Sequence, residues 1–275
     1  MWRHALSLGA IDALVVPDNE EQIVRVLTRI RVSGPTRGTA IAVTGGCGGA
    51  GATVLAAATA LGASRRGRTL LVDADDLGGG IDLLVGLENQ PGMRWADLSL
   101  QGGRVLAESL HAALPHDGCG LSVLAHSRGG RSRAVRPEVA VATIDAGREH
   151  GDTVIVDLPH RDDEVTAAVA TAADLVVVVV PATVRGCASG RETLSRIAVR
   201  TEAYAVAVRG PAPGGLTARQ VADAIDSPLL LAYRSDPALA HRVEAGPLRV
   251  GRRSPLSKAA AAVLDRAAVS TGMRA

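Results

Sequence analysis

Seven short apolar runs are spaced along the chain, at residues 39–44, 68–73, 121–125, 153–157, 175–180, 204–208 and 229–232, and several are unbroken Val, Ile, Leu and Ala. A strand with one wet face alternates apolar and polar side chains; a strand covered on both faces has no such need. Between the runs lie helix-like stretches at 53–64, 138–150, 163–173, 189–199 and 217–226, and an Ala-rich segment at 257–268 reads as a closing helix. Covered strands alternating with helices predict an α/β fold, a doubly wound and mostly parallel sheet flanked by helices. The longest run, residues 175–181, has the length of a buried strand and falls short of the roughly 18 residues a bilayer span requires.

The bulk numbers fit a globular chain. Hydrophobic residues make up 47% against 21% charged, and the 275 residues suffice for one large core. The formal net charge of +2 selects no partner. Lys258 is the single lysine, Phe is absent, and Trp and Tyr occur twice each. Arginine richness here follows the Ala, Gly and Val richness expected of a GC-rich coding bias. With no aromatics interleaved among the cations, it argues against nucleic acid as a partner. Cys47, Cys119 and Cys187 are odd in number and far apart, which supports neither a zinc site nor a disulfide framework. The first residues lack a signal-peptide pattern, so the expected location is cytoplasmic.

The opening differs from the rest. Residues 2–8 could form a helix, 12–16 a strand and 20–31 a helix capped by Asn19, followed by a Ser/Gly/Pro linker at 32–38. The run GAIDALVVPDNEEQIVRVLTRI resembles the helix–strand–helix that ends a response-regulator receiver domain. Val16 precedes Pro17 where receivers place a lysine, and a phospho-acceptor aspartate would lie upstream of Met1. The resemblance implies a partial receiver-like segment over residues 1–31 that does not signal by phosphorylation. An ordinary N-terminal helix pair packed on the sheet is the competing reading.

The segment TAIAVTGGCGGAGATVLAAATALGAS carries most of the functional information. A strand runs into a glycine-rich turn and then into a helix starting near Thr53, the context a phosphate loop requires. Glycines let backbone N–H groups converge on phosphate oxygens, and the helix N-terminus adds partial positive charge. Gly46, Cys47, Gly48, Gly49, Ala50, Gly51, Ala52 and Thr53 are the candidate nucleotide-binding residues. Counted against GxxxxGK[ST] from Gly46, the loop places Gly51 correctly, Ala52 where lysine belongs, and Thr53 as the hydroxyl. A chance glycine-rich turn in an Ala/Gly-rich chain is the alternative, and the order of motifs downstream weighs against it.

GGCGGAGAT resembles the deviant Walker A loop of the MinD/ParA ATPases, GKGGVGKT. The resemblance aligns Ala52 with the ordinary P-loop lysine and Cys47 with the signature lysine that reaches a partner's nucleotide across a dimer. Loss of the P-loop lysine resembles the CpaE-like branch, as does the GMRWADL run at 92–98. LLVDADDLGGGIDLLVGLE resembles the family's switch I stretch, which makes Asp75 the candidate catalytic aspartate. TVIVDLPH resembles its Walker B and switch II strand, ending on Asp157. If nucleotide binds, the resemblance implies Mg²⁺ held near Thr53, Asp75 and Asp157. DLVVVVVPATVRGCASGRETLSRI and DSPLLLAYRSDPALAHRVEAGPL resemble the later family motifs, so the likeness runs from about residue 38 to 270. Many relatives carry an adenine-reading asparagine where this chain has Arg209.

These comparisons predict a domain over residues 39–275 that binds ATP or ADP with Mg²⁺ weakly. They predict a regulatory protein that positions cell machinery through partners, either cell-division proteins at the septum or secretion and pilus proteins. Recruitment to septum or pole and homodimerisation are further implications. Hydrolysis is expected to be weak or absent, because one charge-assisted hydrogen bond to phosphate contributes about 1.5–3 kcal/mol and two cations are missing. Arg185 and Arg209 are the candidates to intrude as replacements. The alternative is an active dimeric ATPase cycling on a membrane or nucleoid. Residues 258–275, mostly Ala with Val263, Leu264 and Val269, make a poor amphipathic membrane helix.

Overall fold

A computed structural model of the protein describes residues 37–98, 107–128, 135–212 and 214–272. The receiver-like reading of residues 1–31, and most of the linker after it, lie outside the described residues. Strand β1 (Thr39–Gly45) leads through the glycine-rich loop into α1 (Ala52–Ala63). Strand β2 (Thr69–Asp73), the short α2 (Ile81–Val85), a 3-10 turn at Trp95–Asp97 and α3 (Ala107–Ala113) follow. Next come β3 (Leu121–Leu124), α4 (Pro137–Glu149), β4 (Thr153–Asp157), α5 (Glu164–Ala172), β5 (Leu175–Pro181) and α6 (Val184–Ala198). The chain then forms β6 (Tyr204–Gly210), α7 (Ala218–Ile225), β7 (Leu229–Arg234), α8 (Leu239–Glu244) and α9 (Pro255–Ser270).

The seven strands form one sheet in the order β3-β2-β4-β1-β5-β6-β7, and every pairing is parallel. Each strand must therefore be connected by a crossover, and the intervening helices cover both faces. Successive side chains divide the core into two layers. Ala40, Ala42, Val176, Val178 and Val180 join one apolar cluster, while Ile41, Val43, Leu175, Val177 and Val179 join the other. Full burial of one such aliphatic side chain is worth roughly 1.5–3 kcal/mol, which is why β5 can be LVVVVV without a polar residue.

Helix ends follow local chemistry. Asp163 accepts from Thr166 N–H at the start of α5. Ser254 does the same for Ser257 at the start of α9, with Pro255 in the first turn. Helix α6 begins five residues before the expected 189 because Thr183 accepts from Gly186 N–H and initiates it there. Helices α2, α3 and α8 were not expected; each has seven residues or fewer, too short for a helical apolar period to register. Strand β7 is half-exposed along its length, so the covered-strand expectation fails at this sheet edge.

Candidate functional site

The C-terminal ends of parallel strands form the crevice of an open α/β sheet, and the residues singled out above meet there. β1 and its neighbours β4 and β5 set the geometry: Val43 pairs with Asp157, and Gly45 with Val179. Gly46 N–H donates to Val179 O at 2.8 Å, anchoring the loop's first turn to β5. A Cβ on Gly46 would lie 2.9 Å from Gly190 Cα of α6, so only glycine permits this approach. The loop closes with Ala50 N–H on Cys47 O at 3.2 Å. Gly51 then caps α1 with φ 96°, a left-handed conformation that other residues adopt at a cost.

Among the described residues, the N–H groups of Gly48, Gly49 and Gly51 have neither a backbone nor a side-chain acceptor. They stand at the N-terminus of a 12-residue helix, which suits an anion. Two side chains depart from what such a loop ordinarily supplies. Ala52 is half-buried against the α1-side core, and Cys47, also half-buried, packs against the same layer. Neither carries charge.

Two aspartates face each other across β2 and β4, where Asp73 is the register partner of Asp157. Both are buried, at 2% and 3% exposure. Asp73 Oδ1 accepts from Asp75 N–H at 3.2 Å and Oδ2 from Ile81 N–H at 2.9 Å. Burial nevertheless pushes its pKa up to about 6. Burial also holds Asp157 well above the ordinary carboxylate range; the negative Asp73 adds to this, and the nearby Thr53 hydroxyl pulls it back. Thr53 and Asp157, predicted together, are therefore brought together.

Asp75 sits at the rim: its N–H bonds Asp73 and its negative charge raises both buried aspartates, while its carboxylate turns to other partners. Its Oδ1 accepts from Leu77 N–H at 3.3 Å and lies 3.9 Å from the Arg161 guanidinium. Arg161 also ion-pairs with Asp76 and, at 2.7 Å, with Asp163. One arginine from the segment after β4 thus ties down the segment after β2. Among the described residues, no group of three or more His, Cys, Asp or Glu side chains could hold a metal ion. A Mg²⁺ here would depend on oxygens brought by its ligand, which is how that ion is commonly held.

Sequence reasoning did not find Arg161, nor the role of Trp95. The Trp95 indole is buried, and its Nε1–H donates to Asp73 O at 2.6 Å, bracing the end of β2. Its signal was the GMRWADL run, noted only as a likeness. Of the two candidate intruding arginines, Arg185 is exposed in the first turn of α6 and, among the described residues, makes no hydrogen bond or ion pair to the loop. Arg209 reaches it: Nη2 donates to Gly49 O at 3.1 Å, and Nη1 lies 3.0 Å from where a Cβ of Gly51 would be. Beside it opens a cavity of about 580 Å³ between the loop, β6, β7, α8 and α9.

No protein-family profile matches the chain. It is 45% identical over 266 residues to the uncharacterized protein Rv3660c of Mycobacterium tuberculosis, covering 96% of this chain and 74% of that one. Its structure is similar to that of a ParA family ATPase from Chlorobium tepidum, with a TM-score of 0.72 and 19% identity, covering 83% of this chain and 98% of the other. It is also similar to the septum site-determining protein MinD of Pyrococcus horikoshii complexed with Mg-ADP, with a TM-score of 0.64 and 17% identity, over 82% and 93% of the two chains. At these identities the structural likeness shows the fold, a MinD/ParA-type P-loop fold.

Proposed function

Because the chain belongs to the family of the uncharacterized Mycobacterium tuberculosis protein Rv3660c and has the MinD/ParA-type fold, we propose that it is a nucleotide-binding regulator that positions cell machinery through partners and hydrolyses ATP weakly or not at all. Residues 39–275 form the P-loop domain in this reading, preceded by the linker 32–38 and the receiver-like segment 1–31. The machinery is septal, or a secretion or pilus apparatus in the manner of the CpaE-like branch. One MinD protein of similar structure is a septum site-determining protein complexed with Mg-ADP.

The observation that carries the reading is the loop itself. Its turn, its left-handed Gly51 and the Thr53–Asp157 pair are in place, while Ala52 and Cys47 are neutral. Backbone N–H groups and a helix N-terminus suffice to hold a phosphate chain. Mg²⁺ would be held between Thr53 and Asp157, with Asp75 as the switch aspartate once Arg161 releases it. Bound there, the ion would neutralise phosphate oxygens. Hydrolysis asks for more, since the transferring phosphoryl group is stabilised chiefly by fixed positive charge around it.

Phosphate release separates the possibilities. The wild-type protein is expected to run at or near background, and the Ala52→Lys, Cys47→Lys double variant to exceed it by on the order of 100-fold. Equal, robust turnover by both would overturn the reading. It would favour a working dimeric ATPase instead, for which the approach of Arg209 to the loop is the supporting observation.

A further inference from the structure

Arg209 is held in place by the sheet. It is the second-last residue of β6, paired with Pro181 of β5 on one side and Tyr233 of β7 on the other. The register sets Tyr233 beside it; burial pushes the Tyr233 phenol up to about 12 against the pull of the Arg209 charge. From that fixed root the guanidinium extends over the glycine-rich loop, where its one hydrogen bond among the described residues is to a neutral carbonyl, Gly49 O. A guanidinium carries five N–H donors in a planar fork suited to phosphate. Among the described residues the other four find no acceptor, and Nη1 lies beside Gly51, where any side chain would crowd it.

The adjoining cavity has the same electrostatic bias. Arg209, Arg234, Arg242 and Arg249 line it, with Asp236 as its only acidic wall residue among the described residues. Asp236 is taken up by Arg242 at 2.5 Å. Among the described residues, Arg209, Arg234 and Arg249 have no carboxylate within 4.0 Å. Tyr233 and the apolar Val54, Leu239 and Val243 complete the wall. A cavity of about 580 Å³ is in the range that holds a mononucleotide-sized ligand.

We propose that Arg209 takes over the phosphate-binding role left empty by Ala52, so that the loop's cation enters from β6 and not from α1. The ligand is a nucleoside di- or triphosphate, with its phosphates between the Gly48, Gly49 and Gly51 N–H groups and the Arg209 fork and its nucleoside end in the arginine-rich cavity. This deepens the nucleotide-binding reading above and rests on it. An arginine delivered this way binds phosphate from the side of the loop, which is compatible with holding a nucleotide whether or not it is cleaved.

The test is equilibrium titration with fluorescent ribose-labelled ADP and ATP in the presence of Mg²⁺. Wild type is compared with Arg209→Ala, Arg209→Lys and an Arg209→Ala, Ala52→Lys double variant. Loss of one charge-assisted contact should raise the dissociation constant of Arg209→Ala roughly tenfold to a hundredfold. Arg209→Lys should retain part of the affinity, and the double variant should recover most of it. No binding by wild type at millimolar nucleotide would sink both this assignment and the nucleotide reading. Wild-type binding that Arg209→Ala leaves equal or tightens would sink the assignment alone, making the guanidinium a structural tie. Weakening that neither Arg209→Lys nor Ala52→Lys repairs would also refute it, since charge would then not be the cause.

Discussion

Asp73 and Asp157 face each other at the ends of neighbouring strands with almost no water around either. Desolvation disfavours the charged form of both. For Asp73 the shift from 3.8 to about 6 means that the folded protein holds the proton more tightly than the unfolded chain does. Its contribution is therefore most favourable below the ordinary carboxylate range and is lost as pH rises from about 4 to about 6. The shift corresponds to about 3 kcal/mol. Asp73→Asn removes this ionisation, so the stability of wild type relative to the variant should fall by about that much between pH 4 and pH 7. Urea denaturation across the interval measures it, and parallel curves for the two proteins would show that Asp73 ionises normally. A nucleotide-bound cation near the pair would oppose the loss, consistent with a site waiting for positive charge.

At the opposite end of the sheet, another buried aspartate holds elements together. Asp152, fully buried just before β4, accepts from Arg68 Nε at 3.1 Å and bonds His111 Nε2 at 2.5 Å. The other His111 ring nitrogen meets Ser122 Oγ at 2.8 Å, and Thr39 N–H donates to Asp152 O at 3.1 Å. Groups from β1, α3 and the residue before β2 thus converge on Asp152, and β3 joins through His111. Arg68 is half-exposed and contributes little, so the cost of Asp152→Ala falls mainly on His111 and Ser122. About 3 kcal/mol is expected, read as a drop in thermal midpoint, and a loss under about 1 kcal/mol would show that the cluster is not cooperative. Nothing in the sequence pointed to this cluster, because its members are far apart in the chain. The strands were readable for the opposite reason: each carries its own burial pattern locally, and the expected boundaries agree with the observed ones to within two residues. The loop and its aspartates were readable because strand, turn and helix follow one another without interruption. Arg161 could not be found this way, since an arginine in an arginine-rich chain acquires meaning only when folding sets it between Asp76 and Asp163.

The molecule presents two surfaces that bear on how it would associate. Helix α9 buries Leu256, Val263 and Leu264 in the α1-side core, so most of its larger apolar side chains are spent on folding and Val269 is left exposed. No helix among the described residues is long and apolar enough to cross a membrane. In the proposed reading, the nucleotide-dependent dimerisation that the resemblance implies would use a lysine where this chain has Cys47. Light scattering is accordingly expected to give the same mass with and without Mg·ATP, and a doubling on addition of ATP would favour the active-ATPase reading.

The bridge made by Arg161 bears on any such partner. In a protein whose two rim segments are joined only through a bound triphosphate, an approaching molecule can tell full from empty by whether the rim is assembled. Here a guanidinium already fastens Asp75 and Asp76 to Asp163. A visitor therefore meets an assembled rim from the outset, and to alter it a ligand must first compete with three carboxylates for one arginine.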